Sequence, residues 1–220
     1  MKNQFFSLST LLCAALFLAS PAYADYLWIE QDGATAKVRA GELAQPLTAL
    51  PALSDAKVVA AAGKADKAPS HSTAGDHYAF PLAENADARF TAIRAGKDGV
   101  LTYFEARFGR HDTKPVNGLE LVPTTPGGNA FRLFFKGQAV NASRVNVETS
   151  AGWRRILTPA PDGTVGFTPS FPGLYVLEVS AQVNNGNVTL EGKTWKDVRY
   201  TATLSFEIPE TAAGGADGAK

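Results

Sequence analysis

Two stretches of this chain alternate apolar and polar side chains with a period of two, and that period constrains the fold more than any other feature. Over residues 99–108, Val100, Thr102, Phe104, Ala106 and Phe108 share one face, while Tyr103, Glu105 and Arg107 share the other. Over residues 199–208, Tyr200, Ala202, Leu204, Phe206 and Ile208 alternate with Arg199, Thr201, Thr203, Ser205 and Glu207. A helix repeats every 3.6 residues and cannot present such a face, so both stretches are expected as half-buried antiparallel β-strands. Further strands are expected at 26–30, 34–40, 58–59, 78–80, 89–93, 131–136, 144–149, 153–158, 164–168 and 174–183. Several are separated by turn chemistry: Lys136-Gly137, Ala151-Gly152, Pro161-Asp162-Gly163 and Pro172-Gly173. Glycine tolerates positive φ and proline fixes φ, so these dipeptides and tripeptides reverse a chain cheaply. Short strands with such separators and no helical period between them indicate an all-β chain of two β-sandwich domains.

The start of the chain belongs to another class of segment. Lys2 supplies a positive charge, residues 5–19 are almost wholly apolar, and Ser20-Pro21 leads into Ala22-Tyr23-Ala24, an A-x-A cleavage pattern. Residues 1–24 are therefore expected to be a signal peptide cut after Ala24, with the mature chain starting at Asp25. The apolar run is shorter than the roughly 20 residues a spanning helix needs and no second run follows, so no transmembrane segment is expected in the mature chain. Cleavage removes Cys13, the one cysteine, together with the one methionine. Disulfides, thiolate nucleophiles and cysteine-ligated metals are thereby excluded from the mature protein. Loss of Lys2 shifts the balance of 21 basic and 21 acidic residues to a single excess negative charge, which gives no electrostatic reason to bind nucleic acid.

Residues 42–56, with Pro46 and Pro51, read as a connection containing a helical turn, and residues 61–76 as an exposed loop or hairpin tip. His111-Asp112-Thr113-Lys114-Pro115 reads as a polar linker. The expected organisation is an N-terminal β domain over 25–110, a C-terminal sandwich over 115–209, and a Gly/Ala-rich disordered tail over 210–220.

In the C-terminal part, Phe135-Lys136-Gly137-Gln138-Ala139 and Ser143-Arg144-Val145-Asn146-Val147 precede Asp162-Gly163-Thr164-Val165-Gly166-Phe167-Thr168 and then Phe171-Pro172-Gly173-Leu174-Tyr175-Val176-Leu177-Glu178-Val179. This order resembles the transthyretin-like, prealbumin-type (Ig-like) sandwich, where glycines turn the hairpins and alternating Val, Phe and Tyr point inward. The longer pattern is the signal peptide, Tyr26-Leu27-Trp28-Ile29-Glu30, a first β domain and then Gly118-Leu119-Glu120-Leu121-Val122-Pro123. It resembles the secreted bacterial family labelled domain of unknown function 4198, over essentially residues 25–208. That resemblance implies a periplasmic protein. Through members described as periplasmic components of cobalt or nickel uptake, it also implies transition-metal handling with a membrane transporter or receptor as partner. Members commonly place a His just after the cleavage site; here that position is Asp25, so no metal ligand carries over from it.

Three histidines are available, His71, His77 and His111. His71 and His77 bracket Asp76 in a Ser/Thr/Gly-rich tract, and Asp112 follows His111. Imidazole and carboxylate donors suit nickel, cobalt, copper or zinc, so His71, Asp76, His77, His111 and Asp112 are candidate ligands of a divalent transition metal. Solvated loop residues are the plainer reading of the same positions. Trp195, within the polar segment 191–197, is the tryptophan most expected at a ligand-stacking surface, or else as a lid on the end of the sandwich. No G-x-S-x-G elbow, H-E-x-x-H pair or Gly-rich phosphate loop occurs. The expected function is a non-catalytic periplasmic accessory or solute-binding protein for a metal ion or small solute. A structural or protein-interaction module of the envelope, or a carbohydrate-binding module, is the alternative.

Overall fold

The computed structural model describes residues 25–60, 68–142, 144–183 and 187–210. The expected signal peptide, part of the expected 61–76 loop and the tail from 211 lie outside the described residues. The described part is all-β. Its strands are β1 (Tyr26–Asp32), β2 (Thr35–Glu42), β3 (Gln45–Pro46), β4 (Ser54–Val58), β5 (Ser72–Thr73), β6 (His77–Pro81), β7 (Ala88–Ala95), β8 (Val100–Phe108) and β9 (Leu119–Pro123). They continue as β10 (Ala130–Phe135), β11 (Gln138–Val140), β12 (Val145–Thr149), β13 (Arg154–Leu157), β14 (Thr164–Gly166), β15 (Gly173–Val183), β16 (Val188–Leu190), β17 (Lys193–Trp195) and β18 (Asp197–Ile208). Residues 42–56 form β3 and the start of β4 rather than a helical turn. Among the described residues no helix is long and apolar enough to cross a membrane.

Seven strands form one sheet in the order β13-β12-β15-β18-β8-β7-β4. It joins chain from both sides of residues 110–115, because β18 runs parallel to β8 from Asp197↔Val100 to Ser205↔Phe108. A second sheet, β1-β2-β6-β5 with β3 beside β2, lies against one face of it. A third, in which β10 pairs with β9, β11 and β14, lies against the other.

The period-two pattern explains the layering. Along β18, Tyr200, Ala202, Leu204, Phe206 and Ile208 pack with Leu119, Leu121, Phe131 and Leu133 of the third sheet. The neighbouring strand splits the same way: Tyr175, Leu177 and Val179 join that core, while Leu174 and Val176 join the other with Phe90, Phe104, Leu27 and Trp28. The seven-stranded sheet thus carries a hydrophobic core on each face.

Strands 99–108 and 199–208 were expected to be half-buried and antiparallel, yet they pair with each other in parallel and both faces are covered. Thr201, Thr203 and Ser205, the polar face by sequence, are at most 2% exposed. They can be buried because β1 crosses over them: Thr203 Oγ1 donates to the Leu27 carbonyl at 2.6 Å, and the Ser205 hydroxyl reaches the carbonyls of Ile29 and Arg107. A short hydroxyl satisfied by a crossing strand costs little on burial, whereas a charge in that place would need its own counter-charge.

Candidate functional site

The five candidate metal ligands fall in two places. Asp76 and His77 sit at the β5–β6 turn, with His77 Nδ1 2.7 Å from Asp76 Oδ1; the other Asp76 oxygen accepts from Arg39 Nη1 at 2.7 Å. These two bonds hold the Asp76 carboxyl below its ordinary pKa, the His77 contact contributing most. His71 turns its ring edge-on to Tyr78 and Phe90, with centroids 5.2 and 5.4 Å away. His111 and Asp112 lie on the connection between β8 and β9, with the His111 imidazole largely exposed beside Asp87 at the mouth of a cavity of about 560 Å³. Among the described residues no three His, Cys, Asp or Glu side chains gather as a metal would require. The implied donor set does not fit an ion as arranged, because both carboxylates are spent on guanidiniums and the histidines are split between two places.

Asp112 belongs instead to a buried ion network that the sequence reading missed. Glu120 Oε1 accepts from Arg89 Nε at 2.7 Å and from Arg107 Nη1 at 2.9 Å, and all three side chains are at most 1% exposed. Arg107 Nη2 also reaches Asp87 Oδ2 at 2.7 Å and the Asp112 carbonyl, while Arg89 Nη1 reaches Asp112 Oδ2 at 3.0 Å. Burial works against the Arg89 charge, but Glu120 and Asp112 more than offset it and leave its pKa above the ordinary value. The carboxylates also hold the chain: Glu120 Oε2 accepts from Val116 and Asn117 N–H at 2.6 and 2.8 Å, and Asp87 accepts from His111 and Asp112 N–H. Glu105 accepts from the N–H groups of Gly118 and Leu119, and its burial pushes its pKa up to about 7. The expected polar linker is therefore tied down from end to end. Gly109 turns it at φ +88°, where an added Cβ would collide with the Asp87 carboxylate.

Trp195 also differs from the expectation of an exposed stacking surface. It is 5% exposed, closed in by Ile93 and Leu101 and partly by Val188 and Leu190, with Lys193 Nζ 3.8 Å from its ring centroid. The β16–β17 hairpin folds this ring down onto the end of the seven-stranded sheet, which makes it a lid.

A more open feature lies where the β1–β2 sheet stops covering the seven-stranded sheet. Strand register puts Arg94, Thr102, Arg199 and Gln182 on one rung and Thr201 and Ser180 on the next. A further rung carries Glu178, Asn146 and Ile156 towards the β13 edge. Of these, Arg94, Arg199, Ser180, Glu178, Asn146 and Ile156 line a groove of about 1160 Å³ together with Asp25, Tyr26, Glu42, Arg144, Arg154 and Arg155. Its carboxylates are engaged. Asp25 pairs with Arg94, Glu148 binds Arg154 Nε at 2.7 Å and the Tyr26 hydroxyl at 2.6 Å, and Glu178 accepts from Asn146 and Ser180. Burial, reinforced by that bond to Glu148, raises the Tyr26 pKa, so the hydroxyl stays a donor. Arg144, Arg155 and Arg199 have no hydrogen bond, ion pair or ring contact with the described residues. The signal in the sequence was faint: Arg144, Arg154-Arg155 and Arg199 are far apart along the chain, and only strand pairing brings them to one face.

Comparison with protein-family models finds none that matches this chain, and comparison with curated proteins finds no match.

Proposed function

We propose that this chain is an exported, non-catalytic binding module of the bacterial envelope, and that the arginine groove takes a carboxylate-rich ligand. One observation carries the reading: among the described residues Arg144 and Arg199 face the groove unpaired, with unpaired Arg155 at its β13 rim, while the carboxylates lining the groove are already engaged. The lining carries five arginines against four carboxylates, a single excess positive charge, in a chain with no net positive charge. Arginine matches a planar carboxylate through two parallel N–H donors, and a sheet holds its arginines at fixed spacing, Arg94 and Arg199 lying two strands or about 10 Å apart. Export rests on the segment Lys2 to Ala24, and a periplasmic location on the family resemblance. Metal handling, which the same resemblance implies, is supported by no donor cluster among the described residues and is not adopted.

The reading is tested by calorimetry on the chain from Asp25 onward, titrated with a capped octapeptide of alternating Glu and Val and with its Gln-for-Glu counterpart. The Glu peptide is expected to bind at micromolar to sub-millimolar strength and to weaken as salt rises, with the Gln peptide at least tenfold weaker. Equal binding of the two, or no binding tighter than about 1 mM, overturns it.

A further inference from the structure

The seven-stranded sheet has two edges, and they are finished differently. The β4 edge is blunted: its pairing with β7 shifts register between Ser54 and Lys57, and Lys57 is paired with Asp55 at 2.7 Å. A bulge and a satisfied charge are common ways of keeping an edge strand from recruiting another chain. The β13 edge has no bulge, and of its two arginines Arg154 is paired with Glu148 while Arg155 has no partner among the described residues. Its four residues pair with β12 in unbroken register, from Val145↔Leu157 to Glu148↔Arg154, and among the described residues no strand pairs with its other side. Arg154, Arg155 and Ile156 are exposed, and Ile156, at 60%, is the most exposed large hydrophobic residue among those described. Ile156 also lines the arginine groove.

We infer that an extended acidic segment of a partner protein adds to the β13 edge as an eighth strand. It shares the acidic ligand class of the groove reading, with the carboxylates meeting Arg155 on the face away from Arg144 and Arg199. Side chains alternate along β13, so Arg154 and Ile156 face the groove while Arg155 faces the opposite side. An added strand meets these positions as cross-strand neighbours. An aliphatic residue opposite Ile156 covers its exposed surface, and a glutamate or aspartate opposite Arg155 supplies the partner that guanidinium lacks. The backbone N–H and C=O groups on the free side of β13 supply the pairing itself, as in other strand-addition complexes. Arg144, just before β12 and beside the Leu157 end of β13, extends the positive rim along the line of the added strand.

The test separates strand addition from simple attraction of an acid to arginine. The alternating Glu/Val octapeptide is compared with the same peptide N-methylated at every second residue on its pairing edge, which keeps every charge and side chain and removes the backbone donors. Strand addition predicts at least tenfold weaker binding of the methylated peptide, and at least tenfold weaker binding of the parent peptide to Arg155→Glu and to Ile156→Asp, with melting temperatures unchanged. Equal binding of both peptides to the unaltered protein overturns strand addition while leaving an acid-binding groove in place. Failure of either peptide to bind removes both readings. Binding undiminished in both variants places the peptide elsewhere and overturns the inference.

Discussion

Arginine is used in two opposite ways on the seven-stranded sheet. Under the connection between β8 and β9, Arg89 and Arg107 are withdrawn from water and fully surrounded by Glu120, Asp87, Asp112 and backbone carbonyls. In the groove and at its β13 rim, Arg144, Arg155 and Arg199 keep contact with solvent and have no partner among the described residues. A buried charge must be matched within the protein because desolvation is costly, so the first cluster is structural and couples distant strands. A solvated charge can wait for a ligand, so the second is where the proposed binding chemistry lies. Removing groups from the first should cost stability, and from the second affinity.

The largest effect is expected from Glu120→Gln. One carboxylate oxygen serves two guanidiniums and the other serves two backbone N–H groups, so either orientation of the amide turns an NH₂ against two donors. Loss of about 3–5 kcal/mol is expected, read as a lower urea midpoint with an unchanged slope. A loss under about 1 kcal/mol would mean that the network is not the clasp its geometry suggests.

Next in size is the pH dependence that Glu105 imposes. Burial raises its pKa from 4.5 to about 7 in the folded protein, so between those values the folded state holds a proton that the unfolded state releases. This contribution is present in full below about pH 4.5 and is lost as pH rises through about 7, amounting to roughly 3 kcal/mol. Urea midpoints measured from pH 4.5 to 8 should carry this decline, and Glu105→Gln should flatten it. An unchanged pH profile in that variant would assign the decline to another group.

Asp112→Asn probes the rim of the same network. Its side chain is 34% exposed, so loss of the charged contact to Arg89 should cost about 1 kcal/mol in thermal or urea unfolding. Calorimetric titration with nickel should be the same before and after this change. A metal response that vanishes with Asp112 would restore the His111–Asp112 site.

Smallest in stability and largest in selectivity is Arg199→Ala. The guanidinium holds nothing among the described residues, so the unfolding free energy should move by no more than about 0.5 kcal/mol, while the affinity for the acidic peptide falls severalfold. A large loss of stability would place Arg199 with Arg107 and erase the contrast.

Some of this contrast could be seen in the sequence. Glu105 and Arg107 alternate with Phe104, Ala106 and Phe108 in a strand of strong period, and a charge in such a strand is tolerated inside a protein only when paired. That placed ionisable groups on one strand face without naming their partners, because Glu120 is 31 residues from Arg89 and 13 from Arg107. His111 and Asp112 are conspicuous by residue type, and the sequence alone offers them as ligands. Asp112 is a counter-ion, and its neighbour is held through its N–H by Asp87.

The amino-acid sequence by itself determined that the chain is all-β, where most strands and turns fall, and that no cysteine follows Cys13. Period and turn chemistry are local, acting over two to four residues, and survive without knowledge of neighbours. Only the tertiary structure decided that β18 lies parallel to β8, that Thr203 and Ser205 are buried under β1, and which arginines are neutralised. Those outcomes depend on which strands meet. Alternation specifies the character of each face of a strand, and the contacts made by the rest of the chain decide what covers it.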